Sequence, residues 1–148
     1  MTSPKPSPTP PTLNQHLCFA MYSTSLKMTQ IYKPLLTPLG LTYPQYLVMV
    51  VLWEQEGIGI KDIAERLQQD SGSITPLVKR LEVEGYLLRG RDPHDERNRV
   101  LTLTEKGRDL RAAGLDVSRG IAEACNITQQ EFETLMAGLH KLGMHLER

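Results

Sequence analysis

The sequence is short of cysteine, of net charge and of long apolar runs. Two cysteines in 148 residues are too few for a disulfide scaffold or a thiolate zinc site. Lys and Arg number 17 and Asp and Glu number 17, so the formal net charge is zero. That excludes a bulk-cationic nucleic-acid coat, and any binding to nucleic acid has to come from local clustering of charge. No apolar run approaches the roughly 20 residues that a membrane span needs, so no membrane partner is expected. Met1 to Pro11 has no apolar stretch and does not read as a secretory signal. A reducing cytoplasm is the expected address, with unpaired thiols kept reduced. What is present suits one domain: 40% of residues are hydrophobic, enough for a core.

Thr2 to Pro11 is Thr-Ser-Pro-Lys-Pro-Ser-Pro-Thr-Pro-Pro. Proline removes donors and fixes φ, so residues 1–11 read as a disordered tail. A first helix is expected from Leu13 to about Tyr32, ahead of Pro34. Pro34, Pro38 and Gly40 then mark a break. Thr42 with Gln45 resembles a capping box opening a second helix, closed by Gly57 and Gly59. Ile60, Ile63, Ala64 and Leu67 have the spacing of a two-turn helix. Asp70-Ser71-Gly72-Ser73 is a polar turn that can also cap. Ile74, Leu77, Val78 and Leu81 line a further helix closed by Gly85. Two short helices around a tight polar turn form the helix-turn-helix pattern.

Tyr86-Leu87-Leu88 and Val100 to Leu103 are strand-like, with a long polar tip, Arg89 to Arg99, between them. Beside a helix-turn-helix such a hairpin is a wing. Thr104 can cap a long helix to about Ala124, and Thr128 with Glu131 caps a last helix through Leu146. The chain reads as mainly α, roughly two-thirds helix, with one small hairpin.

A recognition helix places its N-terminal residues at base edges in the major groove. The candidates are Ser71, Ser73, Thr75, Pro76, Lys79 and Arg80, with Pro76 taken as tolerated within the first turn. Lys79 and Arg80 can reach phosphates or a guanine. On the wing, Arg89, Arg91, Arg97 and Arg99 suit phosphates or a minor groove. An acid among Asp92, Asp95 and Glu96 is expected to pair with Arg97. The bland alternative is a solvated hairpin of mixed charge on a generic helical domain.

The stretch Ile60 to Thr104 resembles the MarR family of winged-helix regulators. Ile60 to Leu67, Ser71 to Glu82 and Gly85-Tyr86-Leu87 carry the likeness. So does the wing signature Asp-x-Arg-x5-Leu-Thr, met by Asp95, Arg97, Leu103 and Thr104. The resemblance implies a winged helix-turn-helix at residues 58–103 within a single domain spanning 12–148. It implies dimerisation helices at 12–57 and 104–148, an obligate homodimer and pseudo-palindromic double-stranded operator DNA as partner. Arg97 would be the wing-tip contact.

Cys18 sits in Leu-Cys-Phe-Ala-Met-Tyr on the first helix. Its bland reading is a small buried hydrophobe. Its sharper reading is a reactive thiol, which needs hydrogen-bond donors and an apolar pocket for an oxidant. Tyr22, Tyr32 and Tyr43 are suitable donors. The segment is similar to the reactive-cysteine helix of the organic-hydroperoxide-sensing branch of the family. Tyr32 and Tyr43 stand 14 and 25 residues on, at the offsets of that branch's two sulfur-holding tyrosines, which come from the partner subunit. The likeness further implies that Cys125 resolves the oxidised Cys18 of the other subunit. Its alternative is a helix-end packing cysteine, with a small thiol resolving instead.

The expectation is a repressor that binds DNA when reduced and is released by organic hydroperoxide. Two other readings compete. One is a repressor released by a small aromatic ligand, with Cys18 a spectator. The other is a thiol peroxidase, against which the winged region argues. His16, His94, His140 and His145 are scattered and read as surface or packing residues. No metal, cofactor or enzymatic activity is expected.

Overall fold

The computed structural model of the chain describes residues 8–147. The tail expected at 1–11 therefore lies largely outside the described residues; Pro8 to Pro11 are exposed and without regular structure. A single 3-10 turn, Leu13–Gln15, precedes α1, Leu17–Leu36. After a second 3-10 turn, Thr37–Leu39, come α2 (Tyr43–Glu54), α3 (Ile60–Arg66) and α4 (Ser71–Val83). The hairpin β1 (Leu87–Asp92) and β2 (Asp95–Leu103) is followed by α5 (Glu105–Cys125) and α6 (Gln129–Leu146).

Three helix starts follow the expected chemistry. The Thr42 hydroxyl accepts from the Gln45 amide at 3.4 Å, and Gln45 Oε1 accepts from the Thr42 amide at 2.9 Å. Thr128 and Glu131 repeat this reciprocal pair at 3.0 and 3.1 Å. The Thr104 hydroxyl accepts from the Gly107 amide at 3.0 Å and donates to the Gly85 carbonyl, tying α5 to the end of α4.

Several boundaries differ. The first helix starts later and runs on through Pro34 to Leu36. Proline removes one intrahelical donor, but the ladder resumes at Thr37, whose amide and hydroxyl both donate to the Lys33 carbonyl. The helix-turn-helix bend lies before Asp70, not at Asp70 to Ser73. Gln68 takes a left-handed φ of 56°, and the Gln69 amide donates back to the Ala64 carbonyl at 2.9 Å. Asp70 is the N-cap, so Ser71 to Ser73 form the first turn of α4. Pro76 therefore sits in the second turn, where it removes the amide that would reach Gly72; the helix nevertheless continues to Val83. The hairpin strands run through the basic stretch, leaving Pro93-His94 as the tip. Cross-strand hydrogen bonding outweighs the polarity of these positions, because a two-stranded wing needs only one buried face.

The core lies where α2, α3, α4 and the hairpin root meet. Val48, Met49 and Leu52 from α2, Ile63, Ile74, Val78, Leu81, Leu87 and Leu101 are all at most 1% exposed. α5 closes this core through Val117, with Leu110 and Ala113 packed against it. Trp53 Nε1 donates to the Gly107 carbonyl at 2.9 Å, and Tyr46 Oη bonds Ser118 Oγ at 3.0 Å, fixing α5 across α2. In contrast α6 buries none of its residues. Phe132, Leu135 and Leu139 on α6 and Leu17, Tyr22 and Leu26 on α1 remain exposed. No single helix among the described residues is long and apolar enough to cross a membrane.

Candidate nucleic-acid interface and thiol centre

Ile74, Val78 and Leu81 bury one face of α4, which turns Gly72, Pro76, Lys79 and Val83 outward at helical spacing. Ser71, Ser73, Pro76, Lys79 and Arg80 are exposed, and Thr75 is half-buried. Two of the hydroxyls are already engaged. Ser73 donates its amide and its hydroxyl to Asp70 Oδ1, at 2.8 and 3.1 Å. Thr75 Oγ1 donates to the Ser71 carbonyl at 2.9 Å. Arg80 pairs with Glu84 at 3.0 Å.

On the wing, Arg91 and Arg99 stand directly opposite each other across the strands, and both are exposed. Like charges in register cost stability in the free protein and concentrate positive potential for a polyanion. The expected ion pair at Arg97 is not found among the described residues. Instead, Asp95 Oδ1 accepts from the Arg97 amide at 3.0 Å, and Asp92 Oδ1 accepts from the His94 amide at 2.8 Å. The acids shape the tip through its backbone and leave the Arg97 guanidinium exposed. Arg89 differs from its neighbours: it is half-buried, with Nε 3.9 Å from Glu82 on α4. Its amide donates to Glu82 Oε2 at 3.3 Å, while Nε and Nη2 are buried without a hydrogen-bond partner among the described residues, so it is not a free contact.

Cys18, at the start of α1, is exposed, and so is Cys125, the last residue of α5. The buried-hydrophobe reading of Cys18 therefore does not hold for the single chain. Tyr22 is exposed one turn away, and no hydrogen bond joins it to Cys18 among the described residues. Tyr32 and Tyr43 lie elsewhere. Their rings are 4.7 Å apart, and Tyr46 adds a third at 6.0 and 6.5 Å. Burial pushes the Tyr32 phenol up to about 12, with Tyr43, Tyr46 and then Cys125 adding to the rise. Burial, then Tyr46, raises Tyr43 as well. Both phenols therefore remain protonated donors at neutral pH. Fourteen residues of one helix separate Cys18 from Tyr32, about 21 Å of axial rise. Within one chain, the candidate nucleophile and the phenols sit at opposite ends of α1, with Cys125 at the phenol end.

A groove of about 460 Å³ runs along α1 between these ends. Leu17, Met21, Met28, Tyr32 and Tyr43 line it, with Leu135 and Leu139 from α6; Cys18 is not part of this lining. No cluster of His, Cys, Asp or Glu that can hold a metal occurs among the described residues. One connection was not foreseen from the sequence. Glu56, just after α2, accepts from the Leu103 amide of β2 at 2.8 Å and from Arg108 Nε and Nη2 of α5 at 3.1 and 3.0 Å. Arg108 and the Leu103 amide hold the Glu56 carboxyl below the usual carboxylate range. Its partners are 47 and 52 residues away, so no local pattern reports it.

Residues 30–113 match the family model described as transcriptional regulator SarA/Rot. The organic hydroperoxide resistance transcriptional regulator of Bacillus subtilis (strain 168) is 39% identical over 88% of this chain and 88% of its own. The HTH-type transcriptional regulator SarZ of Staphylococcus epidermidis (strain ATCC 12228 / FDA PCI 1200) is 39% identical over 86% of each chain. Among solved structures, reduced AbfR bound to DNA superposes with a TM-score of 0.73 at 33% identity, covering 91% of this chain and 94% of that one. Overoxidized AbfR bound to DNA also gives 0.73, at 32% identity. With its helix-turn-helix, its wing and these relatives, the chain belongs to the SarA/Rot and MarR winged-helix transcriptional regulators, in the branch of the organic hydroperoxide resistance regulators.

Proposed function

We propose that the protein is a redox-sensing repressor that binds operator DNA as a reduced homodimer and is released by organic hydroperoxides. The carrying observation is the separation along α1: an exposed Cys18 at one end, and paired phenols beside Cys125 at the other. Antiparallel apposition of two α1 helices brings the Cys18 of one chain to the Tyr32, Tyr43 and Cys125 of the other. The exposed apolar faces of α1 and α6 favour such a pairing, because faces of this kind mark interfaces. α4 and the Arg91, Arg97 and Arg99 wing of each chain then meet successive grooves of double-stranded DNA.

The chemistry balances in two steps. The Cys18 thiolate attacks the terminal peroxide oxygen and breaks the O–O bond. The peroxide leaves as an alcohol after taking up a proton, and the sulfur becomes a sulfenic acid. The Cys125 thiol of the other chain then attacks that sulfur, forming the S–S bond and releasing water. A disulfide requires α-carbons within about 7 Å. Closing it pulls the end of α5 against the start of the opposite α1 and shifts both reading lobes, whose spacing the DNA fixes. Cellular thiols reverse the oxidation.

The groove beside α1 also supports a second reading, release by a small aromatic ligand with Cys18 a spectator. Titration of protein bound to DNA with cumene hydroperoxide separates the two. Redox sensing requires release by wild type and none by Cys18→Ser; release of both, or of neither, rejects it.

A further inference from the structure

This chain carries no net charge and yet reads a polyanion, so its cations divide into those free to meet DNA and those already held. Among the described residues, carboxylates hold Arg66, Arg80 and Arg108, while Arg89 and Arg119 lie 3.9 and 3.8 Å from a carboxylate oxygen, beyond hydrogen-bond distance. Of the exposed cations on α4 and the wing, Lys79, Arg91, Arg97 and Arg99 make no ion pair among the described residues. Arg80 is the exception, with Nη2 3.0 Å from Glu84 Oε1.

Helix stability does not explain this pair. The order is Arg first and Glu four residues later, the less favourable of the two on a helix. Glu84 also sits at the C-cap of α4, where the helix dipole disfavours an anion. The side chains are 64% and 41% exposed, so the pair exchanges readily for a better partner.

We infer that Glu84 is a specificity-determining residue for DNA: its carboxylate holds Arg80 back from phosphates until α4 is seated in a matching groove. Loose, sequence-independent complexes rest on phosphate neutralisation and counterion release. In them no phosphate is fixed within reach, Arg80 stays with Glu84, and one cation per recognition helix is withheld. In the seated complex a phosphate is fixed beside the helix and displaces the single exposed carboxylate. Glu84 thereby lowers affinity for unmatched DNA more than for the operator.

The test is a salt titration of Glu84→Gln and wild type, in the reduced state, on two duplexes. One is selected from a randomised pool with the wild-type protein; the other has the same length and composition in scrambled order. Glu84→Gln is expected to bind the scrambled duplex about threefold to fivefold more tightly, with a salt slope steeper by about 0.9 per additional phosphate neutralised. The selected duplex gains less, so discrimination falls. In an Arg80→Gln background the Glu84→Gln change then alters neither discrimination nor slope. Equal gains on both duplexes, or the same loss of discrimination without Arg80, overturn the inference.

Discussion

The Tyr32 and Tyr43 rings lie 4.7 Å apart and tilted by 46°, joining α1 to the first turn of α2 at the end of α1 remote from Cys18. A phenol is protonated at neutral pH even at its ordinary value, and burial raises both further, so each can donate to the sulfur that the proposed partner chain would bring there. Hydrogen bonds to a charged group contribute about 1.5–3 kcal/mol, and a thiolate held by two phenols is stabilised accordingly. Tyr32→Phe and Tyr43→Phe should each slow oxidation of Cys18 by at least about tenfold, the equivalent of about 1.4 kcal/mol. Affinity of the reduced protein for DNA should be unchanged. Stopped-flow oxidation with cumene hydroperoxide, alongside anisotropy on DNA, checks both. Because Tyr32 titrates only near 12, loss of its proton should not slow oxidation anywhere near neutral pH.

Arg97 is exposed at the wing tip, with its amide pinned by Asp95. Arg97→Ala should weaken binding on every sequence and lower the salt slope by about 0.9 for each phosphate left without its guanidinium partner. Because Asp95 holds the backbone, the tip should keep its shape. A slope unchanged from wild type would place Arg97 away from the DNA backbone.

Glu56 joins α2, β2 and α5 through Leu103 and Arg108. Its carboxyl is held below its ordinary value, so the ionised form is favoured by folding. That contribution is fully present above the ordinary carboxylate range and is lost as pH falls through the lowered folded value. Glu56→Gln should therefore lower the thermal midpoint at neutral pH and narrow its gap to wild type on acidification. Melting curves at neutral and acidic pH measure this, and a constant gap would contradict it.

Gly107 begins the close approach of α5 to the hairpin root. A β-carbon there would overlap the Tyr86 carbonyl oxygen and lie 3.2 Å from Leu103 Cδ2. The neighbour is backbone and has no flexible end to yield. Gly107→Ala should cost at least about 1–3 kcal/mol, as overpacking does, and displace the wing. Urea unfolding measures the loss. Gly90→Ala on β1, with nothing within 4 Å of the added β-carbon, is the control expected not to destabilise the fold.

Local chemistry was legible in the sequence where a short-range signal existed. The Thr42–Gln45 and Thr128–Glu131 boxes fix two helix starts, and the apolar spacing of Ile74, Val78 and Leu81 orients α4. The turn at Gln68 was not legible, because a left-handed glutamine carries no glycine-like mark. Pro34 misled, since one missing amide did not outweigh packing of the last turn, where Leu36 is 2% exposed. The basic stretch concealed strands because Asp95 to Arg99 are all exposed, which removes the alternation that marks a half-buried strand. At the thiol centre the residue types were readable, but the ends of α1 on which they fall emerged only with the helix built. The Glu56 bridge and the Tyr46 and Trp53 bonds to α5 span long sequence separations and leave no periodic trace.

The central claim is that Cys18 of one chain meets Cys125 of the other. Isotope-labelled and unlabelled chains can be mixed, exchanged under reducing conditions, bound to DNA, released with cumene hydroperoxide and digested without reductant. Mass spectrometry should then find Cys18 peptides linked to Cys125 peptides, with mixed-label pairs present. Linked peptides carrying one label type throughout, or release of DNA with Cys18 still a free thiol, would contradict the account.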